Sequence, residues 1–379
     1  MPMSTDLPVR APVAHTRKRI NWTWNDILKA HTDSVVAAVP GLIVLVLLLA
    51  SVALPKAIPM AMTGRALAQN ASEVTVNVFP GGFNWGIYVA QERGLFVNNG
   101  VRVTVQGTPG SVAQMTGLSE GKFDIAMTAV DNIVAYVEGQ GEAPIGPQSE
   151  FFAFMGSDTG FLSLVTAPDV KAVTDLEGRT LSVDALTTGY AFVLFEILRR
   201  NGLNERDYAV AKVGGMVQRW TALRERKQDG TMLSTPYNIL AKAEGFTQLA
   251  QATKVIGHYQ GNVAAARRSW AAANRDKVIA YIRGYVEAID WLYDRVNREA
   301  AVQILRKNLP QMSQDLAERS YDVLLDPQDG FFRQGRMDME GLKTVLDLRN
   351  RYGKPAKLLD DPMKYYDPAF HAAAIALRP

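Results

Sequence analysis

The sequence contains no cysteine and only four histidines among its 379 residues. The absence of cysteine excludes disulfides, thiolate metal sites, iron–sulfur clusters and cysteine nucleophiles. Two of the histidines, His15 and His31, lie near the N terminus, while His258 and His371 are far apart and lack HExxH spacing. We therefore predict no zinc site, no Ser-His-Asp triad, no catalytic residue and no cofactor.

The net charge of the chain is also small. Lys and Arg total 41 against 38 Asp and Glu, a net charge of +3, and residues 1–68 hold seven of the basic side chains but three of the acidic ones. The rest of the chain is therefore almost neutral and offers no basic surface for phosphates. We do not expect nucleic acid to be a partner.

A long apolar stretch lies in the leader, residues 1–68. Residues 35–54 run for twenty positions without a charge, and three basic residues occupy positions 17–19. This length can cross a bilayer as a helix, and the basic cluster favours an N terminus on the inner side. The stretch is either a secretory signal cleaved after Ala68 or a permanent inner-membrane anchor. In both interpretations the chain from about residue 70 onward is exported, so we predict a periplasmic location.

Beyond the leader, strand and helix patterns alternate. Residues 73–79 alternate apolar and polar side chains as a strand does, and a helix is predicted near residues 85–93. A second series of strands and helices begins at residues 180–183, and after about residue 260 the pattern becomes helical. Repeated βαβ units predict an α/β protein with mostly parallel sheets flanked by helices.

Ligands of open α/β sheets bind beyond the carboxyl ends of the strands, where helices begin. The loops at these positions supply hydroxyls, amides, backbone N–H groups and aromatic rings, but they lack the paired acid and base of a hydrolase. We therefore expect a binding protein rather than an enzyme. The candidate ligand-binding residues are Asn84, Trp85, Ser111, Asp131, Asn132, Asp158, Thr187, Thr188, Gly189, Tyr190 and Tyr237.

Several of these candidates also suit a purely structural role. Trp85 and Tyr190 could be core aromatics at helix starts, although a buried aromatic tip needs a polar partner. Asp131 can cap the following helix. Thr187 and Thr188, two hydroxyls directly before a glycine and a helix, form the most favourable cradle for an anion or a polar head group.

Two segments resemble a known family. Residues 83–132 (FNWGIYVAQERGLFVNNGVRVTVQGTPGSVAQMTGLSEGKFDIAMTAVDN) and residues 173–203 (VTDLEGRTLSVDALTTGYAFVLFEILRRNGL) carry its motifs in order. Both are similar to the ABC-transporter substrate-binding proteins that include nitrate, sulfonate, taurine and thiamine-pyrimidine binders. The likeness extends over roughly residues 73–350.

The resemblance implies a two-lobe periplasmic-binding-protein-like fold of type II, in which two α/β lobes close on a ligand. Lobe 1 would comprise residues 70–167 and 254–379, and lobe 2 residues 168–253. By position, the first lobe would contribute Asn84, Trp85, Asp131 and Asn132, and the second Thr187, Thr188, Gly189, Tyr190 and Tyr237. The implied partners are a small ligand and an ABC permease of the inner membrane, and we expect a monomer.

The class of ligand and two rival functions stay open at this point. The candidate loops hold no Lys or Arg, so an oxyanion would depend on backbone N–H groups and hydroxyls. A heteroaromatic ligand stacked on Trp85 and Tyr190 is equally compatible. One rival is a membrane-anchored sensory module that keeps residues 35–54. The other is an enzyme on the same fold, although the thiamine-pyrimidine synthases that resemble these binders carry a cysteine-rich motif that this chain lacks.

Overall fold

The computed structural model of the protein describes residues 70–377. These residues belong to a single unit, Thr63–Pro379. The predictions for the leader, including the apolar segment 35–54 and cleavage after Ala68, lie outside the described residues. Within residues 70–377, no helix is both long enough and apolar enough to span a membrane.

The first sheet has five strands, of which four point the same way. β1 pairs in parallel with β2 and with β3, whereas β10 is antiparallel to both of its neighbours. The spatial order is β2 (Val101–Gly107), β1 (Ser72–Val78), β3 (Ile125–Ala129), β10 (Asn262–Arg267) and β4 (Phe151–Gly156). The expected mostly parallel sheet is confirmed, with one reversed strand.

The second sheet repeats this arrangement. β6 pairs in parallel with β7 and β8, and the reversed strand is β5, which is antiparallel to β8 and β9. The spatial order is β7 (Ala209–Lys212), β6 (Thr180–Val183), β8 (Gly230–Leu233), β5 (Ser163–Thr166) and β9 (Thr247–Gln251). The two sheets define lobe 1 and lobe 2.

Helices cover both sheets. Their bounds are α1 Trp85–Glu92, α2 Leu95–Asn98, α3 Ser111–Ser119, α4 Val130–Val137, α5 Gly189–Arg200, α6 Met216–Arg224, α7 Tyr237–Ala243, α8 Ala252–Ile256, α9 Arg268–Ala273, α10 Arg275–Tyr293, α11 Arg298–Asn308, α12 Gln314–Leu324, α13 Met339–Tyr352 and α14 Pro368–Ala376. The longest helix, α10, buries its apolar face in the core. At Gly86 a β-carbon would come within 2.8 Å of the Tyr285 ring, so this glycine allows α1 to pack closely on α10.

The chain crosses between the sheets twice, at residues 157–162 and 252–261. The two crossovers are hydrogen-bonded to each other, since Ser157 N donates to Asn262 O at 3.0 Å and Gly261 N to Asp158 O at 2.9 Å. Because Ser163–Thr166 pairs within the second sheet, the first crossover lies before the predicted boundary at residue 167. The reversed strand in each sheet is the one that directly follows a crossover.

Two strands were missed by the sequence patterns. β9 was not predicted as a strand. β10 lies where the sequence suggested the start of a helical region, and its sequence NVAAAR is rich in alanine, a residue that favours helices. Val263 and the three alanines of β10 are fully buried between β3 and β4. Pairing on both edges of β10 thus overrides its local preference.

Candidate functional site

A small cleft opens where the carboxyl ends of the two sheets face each other. Its volume is about 40 Å³, and each lobe contributes five of its ten lining residues. Lobe 1 supplies Phe79, Phe83, Ala129, Asn132 and Asn262, and lobe 2 supplies Asp184, Thr188, Gly189, Tyr190 and Met216. These residues lie at or next to the end of a strand, in or just before the first turn of a helix, or, for Asn262, directly after the second crossover, so the cleft lies where the strand-end rule predicted it.

The lobe 1 wall combines aromatic rings with amides. Phe79 follows β1, and Ala129 ends β3. Asn132, in the first turn of α4, donates a hydrogen bond from Nδ2 to Thr128 Oγ1 at 2.8 Å, which fixes its amide. Asn262 lies at the second crossover, where its Oδ1 accepts a hydrogen bond of 3.4 Å from the Tyr190 hydroxyl of lobe 2.

The lobe 2 wall is built from the starts of two helices. Thr188 has extended backbone angles and immediately precedes α5, and its hydroxyl donates to Ala185 O at 3.0 Å. Tyr190 follows in the first turn; burial, with the nearby Asp158 carboxylate, raises its pKa, so it remains a neutral phenol. Met216 begins α6 and is 5% exposed.

The lobes touch around this cleft. Ser111 N, at the start of α3, donates to Asp184 Oδ2 across the lobes at 2.9 Å, and Gly215 N donates to Pro109 O at 2.9 Å. A β-carbon at Gly189 would come within 2.4 Å of Asp131 Cβ. The structure is therefore a closed form in which backbone groups of opposite lobes are in direct contact.

Four of the predicted site residues line this cleft: Asn132, Thr188, Gly189 and Tyr190. Ser111 contributes through its backbone N–H, which holds Asp184, rather than through its side chain. Asn84 is 1% exposed and its Nδ2 donates to Phe79 O at 2.6 Å. It therefore holds the backbone of Phe79, which lines the cleft, and does not line the cleft itself.

Trp85 and Tyr237 do not line the cleft, which corrects the expectation for both. Trp85 is fully buried in the lobe 1 core, where its indole N–H donates to Ala301 O at 3.0 Å and its ring packs edge-on against Tyr321. Tyr237 is buried against α6 and the end of β8. The polar partner that a buried tryptophan needs is thus supplied by a backbone carbonyl rather than by a ligand.

Asp131 and Thr187 contact an arginine that the sequence patterns did not single out. Arg349, on α13, donates from Nε and Nη2 to the two carboxylate oxygens of Asp131, both at 2.7 Å, and Nη2 also donates to the Thr187 carbonyl. Both charged side chains are almost completely buried. Asp131 therefore forms a buried ion pair, and its partner lies more than 200 positions away, a distance at which local sequence patterns carry no signal.

Asp158 belongs to the crossovers rather than to the cleft wall. Its fully buried carboxylate accepts hydrogen bonds from Gly160 N at 2.7 Å, Asn262 Nδ2 at 2.9 Å and Ser157 Oγ at 2.9 Å. Burial raises its pKa to about 6, against the opposing effect of these donors. Asp158 thus joins the two segments through which the chain passes between the sheets.

Six cleft residues were not candidates from the sequence: Phe79, Phe83, Ala129, Asp184, Met216 and Asn262. Asp184 directly follows the predicted strand β6, so the strand-end rule could have identified it. Asn262 could not be found in this way, because the strand that it begins was not predicted.

Two α/β lobes joined by two crossovers around a shared cleft define a periplasmic-binding-protein-like fold. The sequence of residues 68–306, more than half of the chain, matches the NMT1-like family, and the chain belongs to this family. Membership confirms the resemblance inferred from the two sequence segments. No protein of curated function matches the sequence significantly.

Solved structures of low sequence identity share the fold. The periplasmic nitrate-binding protein NrtA from Synechocystis PCC 6803 aligns with a TM-score of 0.68 at 14% identity, over 81% of this chain and 89% of its own. The aliphatic sulphonate binding protein SsuA from Escherichia coli aligns with a TM-score of 0.60 at 17% identity, over 78% of this chain and 92% of its own. A zinc-bound ligand-binding component of an ABC-type import system from Staphylococcus aureus aligns with a TM-score of 0.63 at 14% identity. The alignment covers 80% of this chain and 99% of that component.

Proposed function

We propose that this protein is the solute-binding component of an ABC importer. The observation that carries the proposal is the cleft itself, to which each lobe contributes five residues at strand ends and helix starts. Such a site can hold a small ligand between two lobes, and closure of the lobes then excludes water from it. Membership of the NMT1-like family and the likeness to nitrate- and sulphonate-binding proteins support the same role.

Binding, rather than catalysis, is the proposed activity. Acid–base chemistry needs a donor and an acceptor of protons within reach of the ligand. The cleft residues include one carboxylate, Asp184, which is already hydrogen-bonded to Ser111 N, and they include no histidine or lysine. The proposed ligand contacts are Asn132, Thr188, Gly189, Tyr190 and Asn262.

The proposed partners are a small polar or anionic organic molecule and a permease of the inner membrane, to which a monomer delivers it. The proposed location is outside the inner membrane, reached through the apolar leader segment 35–54. N-terminal sequencing of the mature protein distinguishes the two forms of the leader. A start at Gln69 indicates a freely diffusing binder, and an intact leader indicates an anchored one.

A thermal-shift screen tests the function, because a ligand that binds the native state raises the melting temperature. The screen includes sulfonates, nitrate, bicarbonate, aminopyrimidines and aromatic acids. Replacing Thr188 by Val should weaken the response to any compound that binds, while the exposed Thr104→Val variant on β2 should respond like the wild type. Equal responses from both variants would argue against this cleft as the binding site.

A further inference from the structure

A buried arginine that forms no salt bridge with any described residue lies behind the lobe 2 wall. Within residues 70–377 only Arg219 and Arg349 are buried arginines, at 3% and 0% exposure. Arg349 pairs with Asp131, whereas Arg219 forms no ion pair with any described residue. Because taking an unpaired charge out of water is costly, the guanidinium of Arg219 requires a compensating partner.

The hydrogen bonds of Arg219 satisfy it incompletely. Nη1 donates to Met232 O at 2.8 Å and to Thr231 Oγ1 at 3.5 Å, Nη2 approaches the sulfur of Met216 at 3.6 Å, and Nε has no partner among the described residues. A thioether sulfur is a weak acceptor. Burial lowers the pKa of Arg219, and the nearby Asp184 carboxylate opposes this effect. A guanidinium remains charged in such a setting.

The Met216 sulfur is also approached by a second hydrogen-bond donor. The backbone N–H of Ser234, just after β8, points to Met216 Sδ at 3.3 Å. At this N–H and at the next residue along the chain, the buried hydroxyls of Ser234 and Thr235 have no hydrogen-bond partner within residues 70–377. A weak acceptor thus occupies a position on which a cation and an amide donor converge, where an anionic oxygen would be a much stronger partner.

Met216 separates this cluster from the cleft. It lines the existing cavity, and a methionine side chain is long, unbranched and flexible. A swing of the side chain would join the space around the sulfur to the cavity of about 40 Å³. Arg219 lies three residues after Met216 on α6, so both side chains project from one face of that helix.

We propose that a carboxylate, sulfonate or inorganic oxyanion of the ligand displaces the Met216 side chain and binds the Arg219 guanidinium together with the backbone N–H of Ser234. This inference rests on the proposed function and narrows it to ligands that carry a negative charge. The one carboxylate on the cleft wall, Asp184, is already bound to Ser111 N at the start of α3, where the helix dipole favours its negative charge.

The test compares anions with uncharged and cationic probes on the full-length protein. Methanesulfonate, acetate, nitrate and bicarbonate are titrated at constant ionic strength, with acetamide and trimethylammonium as controls, and apparent affinities are taken from thermal shifts. We expect the anions alone to stabilise the wild type. Arg219→Gln should lose about 10- to 100-fold in anion affinity, the factor expected for one charge-assisted hydrogen bond. Arg224→Gln, an exposed arginine on the same helix, is the matched control.

Two further variants keep the test informative if Arg219→Gln folds poorly. Met216→Ala removes the occluding side chain and should increase anion affinity, and Arg219→Lys should retain part of it. Anion responses of equal size in the wild type and Arg219→Gln would overturn the inference, as would no anion response in both the wild type and Met216→Ala. Stabilisation by acetamide or trimethylammonium instead would overturn it while leaving the solute-binding function intact.

Discussion

The Arg349 guanidinium and the Asp131 carboxylate face each other in a bidentate ion pair, with both N–O distances at 2.7 Å and both side chains buried. Asp131 belongs to lobe 1, while the same guanidinium donates to the Thr187 carbonyl and lies 4.8 Å above the Phe192 ring, both in lobe 2. Helix α13 therefore contacts both lobes through one side chain.

Removing Arg349 should strongly destabilise the fold. In Arg349→Met, Asp131 would remain as a buried carboxylate without its counterion, and breaking a buried pair in this way costs about 3–5 kcal/mol of unfolding free energy. Denaturant titration measures this loss. Lys343→Ala, which breaks an exposed pair with Glu340 on the same helix, should cost less than about 1 kcal/mol. Similar losses in both variants would contradict the assignment of Arg349 as a buried link.

Asp158 should make stability depend on pH in an unusual direction. Its carboxyl has a pKa near 3.8 when unfolded and about 6 when folded, so the folded state binds the proton more tightly. Its contribution to stability is therefore largest below the unfolded value and is lost as the pH rises through the folded one. Asp158→Asn removes the titrating carboxyl and preserves its hydrogen bonds. The amide oxygen can still accept from Gly160 N, and the new amide N–H can donate to Ser157 Oγ. The Ser157 hydroxyl can then donate to the Tyr285 hydroxyl.

The measurement for Asp158 is the melting temperature between about pH 4 and pH 8 at constant ionic strength. The difference between Asp158→Asn and the wild type should become more favourable to the variant as the pH rises through about 6. The exposed Asp360→Asn variant is the control and should show no such trend. A difference that stays constant over this range would show that Asp158 does not titrate there.

Gly189→Ala should prevent full closure of the lobes. The added methyl group would lie 2.4 Å from Asp131 Cβ, a distance that carbon atoms do not tolerate, while alanine itself suits the first turn of a helix. We expect a larger radius of gyration in small-angle X-ray scattering and at least a tenfold loss of ligand affinity, with little change in unfolding free energy. At Gly107 an added methyl group would meet only Pro80, at 4.0 Å, so Gly107→Ala is the matched control.

Trp85→Phe should affect stability and not binding. The substitution removes the hydrogen bond to Ala301 O and leaves a small cavity beside Tyr321, at a cost of about 1–3 kcal/mol. Ligand affinity should match the wild type, because Trp85 is absent from the cleft wall. A loss of affinity with unchanged stability would restore the interpretation of Trp85 as a ligand contact.

Local sequence patterns predict several residues of the candidate cleft. The alternation of strands and helices predicts which loops meet at the sheet ends, and Thr188, Gly189 and Tyr190 were found in this way. Trp85 shows the limit of the method: its position at a helix start is compatible with either the core or the cleft, and the neighbouring Ala301 carbonyl decides between them.

The sequence by itself determined the alternation of strands and helices, and with it the α/β class, because the period of apolar residues and the turn signals are local properties that each segment carries alone. The division into two lobes was implied by the resemblance to the family of substrate-binding proteins. Only the tertiary structure decided that the alanine-rich β10 is a strand, that Asp131 pairs with Arg349, and that Arg219 is buried without an ion pair to any residue between 70 and 377. These outcomes depend on groups brought together from distant parts of the chain. Burial and electrostatic pairing act between such groups only after the fold has formed.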